Sequence, residues 1–424
     1  MSAGCNRRAA RGADDALIRN ARNAVYTVFI SAGFIFASWA SRIPQVRSEL
    51  RVTPGVLGLI LLCIAVGAVI ATPLSGLVIS WLGETRTVVV MSWISAAGMA
   101  IVAVGYRLGI PAVAAGLFLF GFGSGAWDVA MNVQGAAVER ALGRAILPRF
   151  HAGWSIGTVA GAAVGAAMVA LGVPVTVHLL AVALAVAVAV PAAALRFLPG
   201  ARTGAHQDEA AARRSPLAAW TEKRTVLIGL FVFCMAFAEG TGNDWLSLAI
   251  IDGYRTAAVL GTLMFAIFLA AMTAGRWFGP RFIDRYGRVR VLRACAATAL
   301  IGLLLIDFGG FLAVAVAGAV LMGLGISLGF PVGLSSAADD PRYAAPRVGT
   351  AASIGYLAFL AGPPVVGFLG DHIGVLHSLS IAGILLAAAL ILCRATAPPR
   401  PPREVADHCG SGRRGLAQSA NGTT

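Results

Sequence analysis

The stretch FIDRYGRVRVLR, residues 282–293, joins two long apolar runs and decides how the chain is organised. Two helices joined by so few residues must reverse sharply, and Gly287 predicts the left-handed conformation in which many helices end. Arg285, Arg288 and Arg290 can bond free carbonyl groups at the helix end and anchor the loop to anionic lipid headgroups. Asp284 adds a carboxylate that can hold neighbouring arginines or a helix N-terminus. The stretch therefore predicts a tight helical hairpin at a membrane surface.

Apolar residues dominate the rest of the chain. Hydrophobic residues make up 58% of its 424 residues and charged residues 12%, whereas about 25% of residues in soluble domains are charged. Because about 20 apolar residues span a bilayer as an α-helix, the composition predicts an all-α membrane protein. Gly, Pro and Arg clusters divide the apolar runs into twelve predicted spans, at 24–41, 54–80, 87–106, 111–138, 150–171, 174–198, 224–250, 257–279, 290–308, 311–335, 346–370 and 374–394.

The net charge of +14 is distributed unevenly among the predicted loops. With the N-terminus inside, the outside loops contain five of the 33 Arg and Lys residues, which are Arg42, Arg47, Arg51, Arg107 and Arg255. Short cytoplasmic loops carry the excess of Lys and Arg in membrane proteins. The pattern therefore predicts two cytoplasmic termini in a multi-pass protein of a bacterial-type inner membrane, and it argues against nucleic acid as a partner.

The residues that support metal binding or catalysis in other proteins lack the necessary spacing here. The six cysteines form no C-x-x-C or paired pattern, which predicts neither a metal site nor a disulfide framework. None of the six histidines forms a pair such as H-E-x-x-H, and the single lysine, Lys223, does not follow the glycine that a P-loop requires. We therefore expect no enzyme activity, no cofactor and no ATP-driven pumping, so that transport would be passive or ion-coupled.

Two similar blocks of six predicted spans make up most of the chain. The loop SWLGETR (80–86) corresponds to DRYGRVR (284–290), and the start of span five, SIG (155–157), corresponds to SIG (353–355). Parallel six-span halves are typical of transporters whose substrate site lies between the halves near the membrane midplane. The predicted segments are an N-terminal tail at 1–23, a first half at 24–198, a linker at 199–223, a second half at 224–396 and a disordered tail at 397–424.

The motif DRYGR, between the second and third spans of a half, resembles the signature loop of the major facilitator superfamily. The resemblance extends over about 22–396 and implies that family's fold, with twelve transmembrane helices in two pseudo-symmetric halves that alternate access to a central site. In the first half, Ser80 and Trp81 stand where the family usually has Asp-Arg. The cytoplasmic gate residues that the resemblance implies are Gly83, Arg86, Asp284, Arg285, Gly287 and Arg288.

Two other stretches resemble fucose-permease-like sugar transporters. FGSGAWDVAMN (122–132) is similar to their Glu/Asp-x-Ala-x-Asn signature in span four, and FHAGWSIGTVAGA (150–162) resembles the start of their span five. This resemblance implies proton-coupled uptake, with Asp128 as the coupling carboxylate. The second acid that sugar symporters of this group carry in span one is absent from ASWASRIPQV (37–46). A sugar substrate therefore does not follow from the motifs alone.

Asp128 and Asn132 are four residues apart and share one face of the span-four helix. An Asp at the centre of a spanning helix costs about 2.5–3.5 kcal/mol, so we expect a function or a strong contact to maintain it. One interpretation is a protonatable or substrate-binding site that faces a cavity. The alternative is a buried polar pair that joins span four to a neighbour. Gly121 and Gly125 predict the close approach of another helix.

Span seven contains AEGTGNDW (238–245), which adds two acidic candidates. Glu239 is the second predicted proton-coupling residue, and Asp244 is either a substrate-binding residue or a helix-end acid. Tryptophan offers a flat apolar face and one hydrogen-bond donor to a sugar ring or an aromatic solute, although two of the four indoles could instead be interface anchors. The four tryptophans beside polar residues are Trp39, Trp127, Trp154 and Trp245.

These features predict a secondary active transporter of a small solute. Proton-coupled uptake of a sugar-like solute is the first hypothesis. Proton-coupled efflux of amphipathic compounds is the second, because few hydrogen-bonding residues would face the cavity. A transport-inactive sensor on the same fold is the third. The expected partners are a small-molecule substrate, protons and the lipid bilayer, with no obligate protein partner and a monomeric state.

Overall fold

The structure of the protein is a computed structural model. In the part of the chain that it describes, all the regular structure is helical. This part comprises residues 2–143, 146–198, 218–340 and 343–398, and it contains no strand. Twelve of its helices or helix pairs are long and apolar enough to cross a membrane. The all-α architecture and the number of spans confirm the predictions.

The described helices follow the chain as sixteen segments. The first span consists of α1 and α2, the tenth of α12 and α13, and the twelfth of α15 and α16. The helices are α1 (Ser2–Ala40), α2 (Ile43–Leu50), α3 (Pro54–Leu82), α4 (Glu84–Gly105), α5 (Ile110–Leu142), α6 (Leu147–Ala170), α7 (Val175–Ala194), α8 (Ala218–Thr221), α9 (Lys223–Tyr254), α10 (Ala258–Tyr286), α11 (Arg288–Phe308), α12 (Leu312–Ile326), α13 (Gly329–Ala337), α14 (Ala344–Ile373), α15 (Val375–Ser378) and α16 (Ser380–Leu392).

Some predicted boundaries differ from the observed ones. Helix α1 begins at Ser2 rather than near residue 24, so most of the predicted N-terminal tail is helical, because Ala and Arg are strong helix formers. The C-terminal end of the predicted linker forms the short helix α8. The rest of that linker, 199–217, and the predicted tail from residue 399 onward lie outside the described residues.

Glycines bring helix backbones together at matching positions of the two blocks. A Cβ atom added at Gly121 would lie 2.0 Å from the carbonyl oxygen of Ile64, and one added at Gly323 would lie 2.4 Å from that of Phe268. Small residues allow this approach between membrane helices. The internal repeat therefore extends from the loops to the helix contacts. A further matched set is Gly98 against Gly116 and Gly302 against Gly318.

The glycines of α6 form a packing stripe against α1. A Cβ atom added at Gly157 would lie 2.1 Å from the carbonyl oxygen of Ile30, and one added at Gly161 would lie 2.5 Å from that of Phe34. At this separation the two backbones are in van der Waals contact. The contact fixes the rotation of α6 about its own axis, and with it the direction of the side chains on its other faces.

The junctions after α3 and α10 share one backbone conformation. Gly83 has φ 77° and ψ 164°, and Gly287 has φ 82° and ψ 149°. The expected left-handed helical conformation at Gly287 is therefore wrong in ψ, although φ is positive as expected. This region of backbone space is accessible essentially to glycine alone. The two hairpins consequently require glycine at these positions more strictly than an ordinary left-handed helix end does.

Most of the contact between the blocks is made by two helix pairs, α3 with α14 and α6 with α10, and a smaller contact joins α2 to α9. We use "N-terminal face" for the side of the molecule on which α1 begins and α3 and α10 end, and "opposite face" for the other side. In the described chain, the hydrogen bonds that we find between the blocks lie at the opposite face. There Arg47 forms an ion pair with Asp252, and Asp371 accepts hydrogen bonds from Thr53 and Gly55. The opposite face is therefore closed.

Candidate functional site

Asp128 lies on α5 with its side chain accessible to solvent, although it is deep in the bundle and surrounded by protein atoms. The Nδ2 atom of Asn132 donates to the backbone oxygen of Asp128 at 2.8 Å and lies 3.5 Å from its Oδ1. Accessibility of both side chains at this depth indicates a cavity. Asp128 and Asn132 therefore share one face of α5, as predicted. The side-chain amide of Asn132 is hydrogen-bonded to the backbone of Asp128.

The orientation of α5 follows from its glycines. Gly121 and Gly125 lie against Ile64 and Ala68 of α3, and Gly123 lies against Met91 and Ser95 of α4. These contacts occupy two sides of the helix. Because the neighbouring helices approach at backbone distance there, the remaining side, which carries Asp128, is directed towards the cavity. The predicted close approach of another helix to this glycine pair is thus observed, and the partner is α3.

Tyr356 of α14, in the other block, lies near Asp128 and belongs to an aromatic cluster. The hydroxyl-bearing ring of Tyr356 is 47% exposed and close enough to Asp128 for an electrostatic interaction. The ring centre of Tyr356 lies 5.8 Å from that of Phe330 and 6.4 Å from that of Phe359. This aromatic cluster was not predicted from the sequence. The spacing of Tyr356 and Phe359 by one helical turn was its only signal.

Glu239 is ion-paired rather than free. The Nη2 atom of Arg276 on α10 lies 2.7 Å from Glu239 Oε1, and the side chains are 24% and 8% exposed. The Nε atom of Arg276 donates to the backbone oxygen of Ser327 at 3.3 Å, at the break between α12 and α13. Arg276 was not predicted as a site residue, because it was counted with the basic residues that follow span eight. An arginine inside a span is itself a functional signal.

The four candidate tryptophans lie in different environments. Trp154 on α6 is partly accessible, with the guanidinium of Arg276 6.0 Å from its ring centre. Trp39, Trp127 and Trp245 are at most 1% exposed. These three indoles are packing residues in this conformation, and only Trp154 is available for contact with a solute. A sequence pattern cannot separate the two cases, because adjacent positions on a helix point in different directions.

Asp244, predicted as a substrate-binding or helix-end residue, lies on α9 and is partly accessible. In the described chain no Arg, Lys or His forms an ion pair with it. The adjacent Trp245 is fully buried and lies against Gly367 of α14. The neighbour of Asp244 therefore reaches the contact between α14 and α3, and within the described residues Asp244 itself has no ion-pair partner.

The sequence profile of the Major Facilitator Superfamily matches residues 24–345 and 245–412 of the chain. The chain belongs to the Major Facilitator Superfamily. An uncharacterized transporter of Sinorhizobium fredii is 32% identical over 368 residues, which are 86% of this chain and 95% of that protein. Membrane protein MosC of Rhizobium meliloti is 27% identical over 87% of this chain and 89% of its own length.

Solved structures of the superfamily share the fold. The nucleoside transporter NupG superposes with a TM-score of 0.69 at 16% identity, over 88% of this chain and 98% of that structure. The fucose:proton symporter FucP of E. coli superposes with a TM-score of 0.61 at 16% identity, with the same coverage. The protein is accordingly a multi-pass membrane transporter of the superfamily and not an enzyme.

The superfamily signature loop takes part in an ion-pair cluster within its own block. Arg288 donates to both carboxylate oxygens of Asp339, at 3.0 and 2.9 Å, and Arg224 donates to Asp339 Oδ2 at 2.6 Å. The expectation that Arg288 binds the helix-end carbonyls is thus corrected. Its guanidinium takes a carboxylate, because a bidentate Arg–carboxylate pair is stronger than a neutral hydrogen bond. Asp284 and Arg285 are exposed.

The first-half copy of the loop contributes Gly83 and Arg86. Arg86 is exposed, and Gly83 has the same backbone conformation as Gly287. Ser80, at the position of Asp284, donates its hydroxyl to the backbone of its own helix. The two copies of the superfamily loop therefore have the same backbone conformation at their glycines. At the N-terminal face, however, the first copy has a serine hydroxyl where the second has an aspartate carboxylate.

Proposed function

We propose that this superfamily member takes up a small, polar, sugar-like solute together with protons. The observation that carries the proposal is the state of Asp128: its carboxylate is accessible inside the bundle, lies 3.5 Å from the amide nitrogen of Asn132 and forms no ion pair in the described chain. An acid at this depth marks a transport pathway. Protonation neutralises the Asp128 carboxylate. The neutral group costs less free energy than the charged one when the site is closed and apolar.

Substrate recognition falls in this proposal to the Glu239–Arg276 pair and Trp154. A sugar hydroxyl both donates and accepts hydrogen bonds, and the ion pair presents one acceptor group and one donor group side by side. The Trp154 ring, beside the Arg276 guanidinium, offers a flat surface on which a sugar ring can stack. Glu239 consequently changes from the predicted second proton carrier to a binding residue.

Asp244 takes the place of Glu239 as the second proton carrier in this proposal. It is partly accessible, and no counter-charge neutralises it in the described chain. The fucose:proton symporter and a D-xylose-proton symporter share the fold, which supports proton coupling without identifying the residues. We further propose a monomer in a bacterial inner membrane with both termini in the cytoplasm, supported by the placement of arginines and by the bacterial relatives.

Proton-coupled efflux of amphipathic compounds is the second candidate. The aromatic cluster of Phe330, Tyr356 and Phe359 supports it, because three adjoining rings, one of them near Asp128, favour a planar apolar ligand. Uptake moves protons in the same direction as the solute, and efflux moves them in the opposite direction. One assay of proton movement therefore distinguishes the two candidates.

Proteoliposomes that contain the pH-sensitive dye pyranine test the proposal. Neutral monosaccharides and nucleosides are added outside one at a time. At least one compound from one of these two classes should drive protons inward through the wild-type protein and acidify the lumen. Asp128→Asn keeps the shape but cannot carry a proton, so acidification should fall to the protein-free level. Asp15→Asn, on an exposed position of α1, is the matched control and should behave as wild type. Proton movement of wild-type magnitude through Asp128→Asn would refute the role of Asp128. Proton movement in response to ethidium, and to none of the sugars or nucleosides, would favour efflux.

A further inference from the structure

The end of α14 is bonded to the beginning of α3 across the two blocks. Asp371 Oδ1 accepts the backbone N–H of Gly55 at 3.0 Å, and Asp371 Oδ2 accepts the hydroxyl of Thr53 at 3.2 Å. Pro54 has no N–H, and the N–H of Val56 donates to Thr53 Oγ1 at 3.4 Å. Asp371 thus takes the N–H group that the first turn of α3 cannot satisfy internally. A carboxylate is also favoured there by the positive end of the helix dipole.

The fit between these two helix ends depends on glycine. A Cβ atom added at Gly55 would lie 2.4 Å from Asp371 Oδ2, and one added at Gly367 would lie 2.4 Å from the carbonyl oxygen of Pro54. Farther along, a Cβ atom at Gly58 would lie 2.4 Å from the carbonyl oxygen of Pro363. The two helices therefore touch through backbone over more than a turn, and Asp371 closes the end of that contact.

The segment that contains Asp371 repeats the signature loop on the other face. Asp371-His372-Ile373-Gly374 has the same D-x-x-G spacing as Asp284-Arg285-Tyr286-Gly287. Gly374 has φ 82° and ψ 152°, nearly identical to the φ 82° and ψ 149° of Gly287. Each tetrapeptide ends a helix of the second block that packs against the first block, α14 against α3 and α10 against α6.

The two tetrapeptides are in different states. Both acids are exposed, but Asp371 is bonded to the N-terminal end of α3, whereas in the described chain we find no hydrogen-bonding partner for the Asp284 carboxylate. At the N-terminal end of α6, Glu139 Oε2 accepts the N–H groups of Ile146 and Leu147 at 2.7 and 2.8 Å. The helix end that corresponds to that of α3 is thus occupied by a carboxylate of its own block.

We propose that Asp371 is a positioning residue that latches the opposite face shut. The bonds of Asp371 to Thr53 and Gly55 stabilise the access state in which the opposite face is closed. This inference requires alternating access and is independent of the substrate and of proton coupling.

Cysteine accessibility tests the latch in full-length protein in proteoliposomes, in a cysteine-free background. Leu248→Cys reports the opposite face, because Leu248 is buried beside a cavity of about 290 Å³ lined by Arg47 and Asp252. Ser353→Cys reports the N-terminal side of the cavity, because Ser353 is exposed one turn from Tyr356. Asp371→Ala should raise maleimide labelling at position 248 about tenfold, the usual minimum for loss of a hydrogen bond to a charged group. The same change should lower labelling at position 353.

Three further measurements separate a latch from a merely structural contact. Asp371→Asn keeps an acceptor oxygen and should restore much of the wild-type labelling pattern. His372→Ala, at the exposed neighbouring position, should leave it unchanged. Asp371→Ala should also lower the maximal rate of solute-driven proton movement with little change in KM. Increased labelling at both positions would indicate general loosening and overturn the proposal, as would unchanged labelling at position 248. The wild-type labelling pattern does not depend on proton flux, so the proposed coupling can fail without affecting this result.

Discussion

Arg276 and Glu239 make the most direct stability prediction in the central site. Their contact of 2.7 Å joins α10 to α9, and the Glu239 side chain is only 8% exposed. Removal of one partner from such a pair leaves an uncompensated charge and typically costs about 3–5 kcal/mol. Arg276 is itself 24% exposed, so water can partly replace it and the lower value, about 3 kcal/mol, applies to Arg276→Met.

The expected loss is large enough to measure by thermal unfolding of purified protein in detergent. A change of 1 kcal/mol shifts Tm by about 2–4 °C in units of about 150–250 residues, so Arg276→Met should lower Tm by about 6–12 °C. Arg281→Met is the matched control. It lies on the same helix, is exposed and has its guanidinium 5.7 Å from the ring centre of Phe278. Surface substitutions of this kind usually change stability by about 0.5 kcal/mol or less.

The double variant Arg276→Met/Glu239→Gln tests the reasoning itself. It leaves no unpaired charge, so it should recover at least half of the Tm that Arg276→Met loses, because the penalty arises from the isolated carboxylate and not from lost packing. A double variant as unstable as the sum of the two single variants would refute that account. So would an Arg276→Met protein with the Tm of Arg281→Met.

Other predictions follow from the packing and the loops. Gly157→Ala should prevent stable folding or greatly lower expression, because its Cβ would meet a backbone oxygen of α1, whereas Gly349→Ala has open space and should be tolerated; fluorescence size-exclusion chromatography of tagged protein compares them. Asp284→Ala should slow solute-driven proton movement and leave KM near wild type, and an unchanged rate would reduce the loop to a topology signal. A cysteine at Arg107 should react with an impermeant maleimide added to intact cells, and one at Arg290 should not; the reverse pattern would invert the proposed orientation.

Much of the fold was predictable because a membrane imposes simple rules on sequence. Span length and apolar composition predicted the twelve spans, and the glycines near Asp128 predicted the approach of α3. The proximity of Asn132 to Asp128 followed from helical periodicity. Arg276 was missed because a charge near the end of an apolar run was counted with the loop. Asp371 was missed because its partner, a helix end on the other block, has no side-chain signature.

The burial of three of the four candidate tryptophans has a different cause. Polar neighbours in the sequence suggested that these indoles face a cavity, yet residues adjacent on a helix point about 100° apart. Trp127 is consequently buried, whereas Asp128 is accessible. The direction in which one residue of a span points therefore depends on tertiary contacts, such as those of Gly121 and Gly123, that the local sequence does not encode.

The glycine contacts within each block also bear on how transporters of this kind can diversify. Backbones that touch at Gly121, Gly157 and Gly323 leave little room for the helices of a block to shift against one another, so we expect each block to be stiff. The relative populations of the two access states then depend on a few polar bonds at the faces, far from the cavity. Selection can thus adjust turnover through Asp371 or Asp252 and selectivity through Trp154 or its neighbours, with little interference between the two.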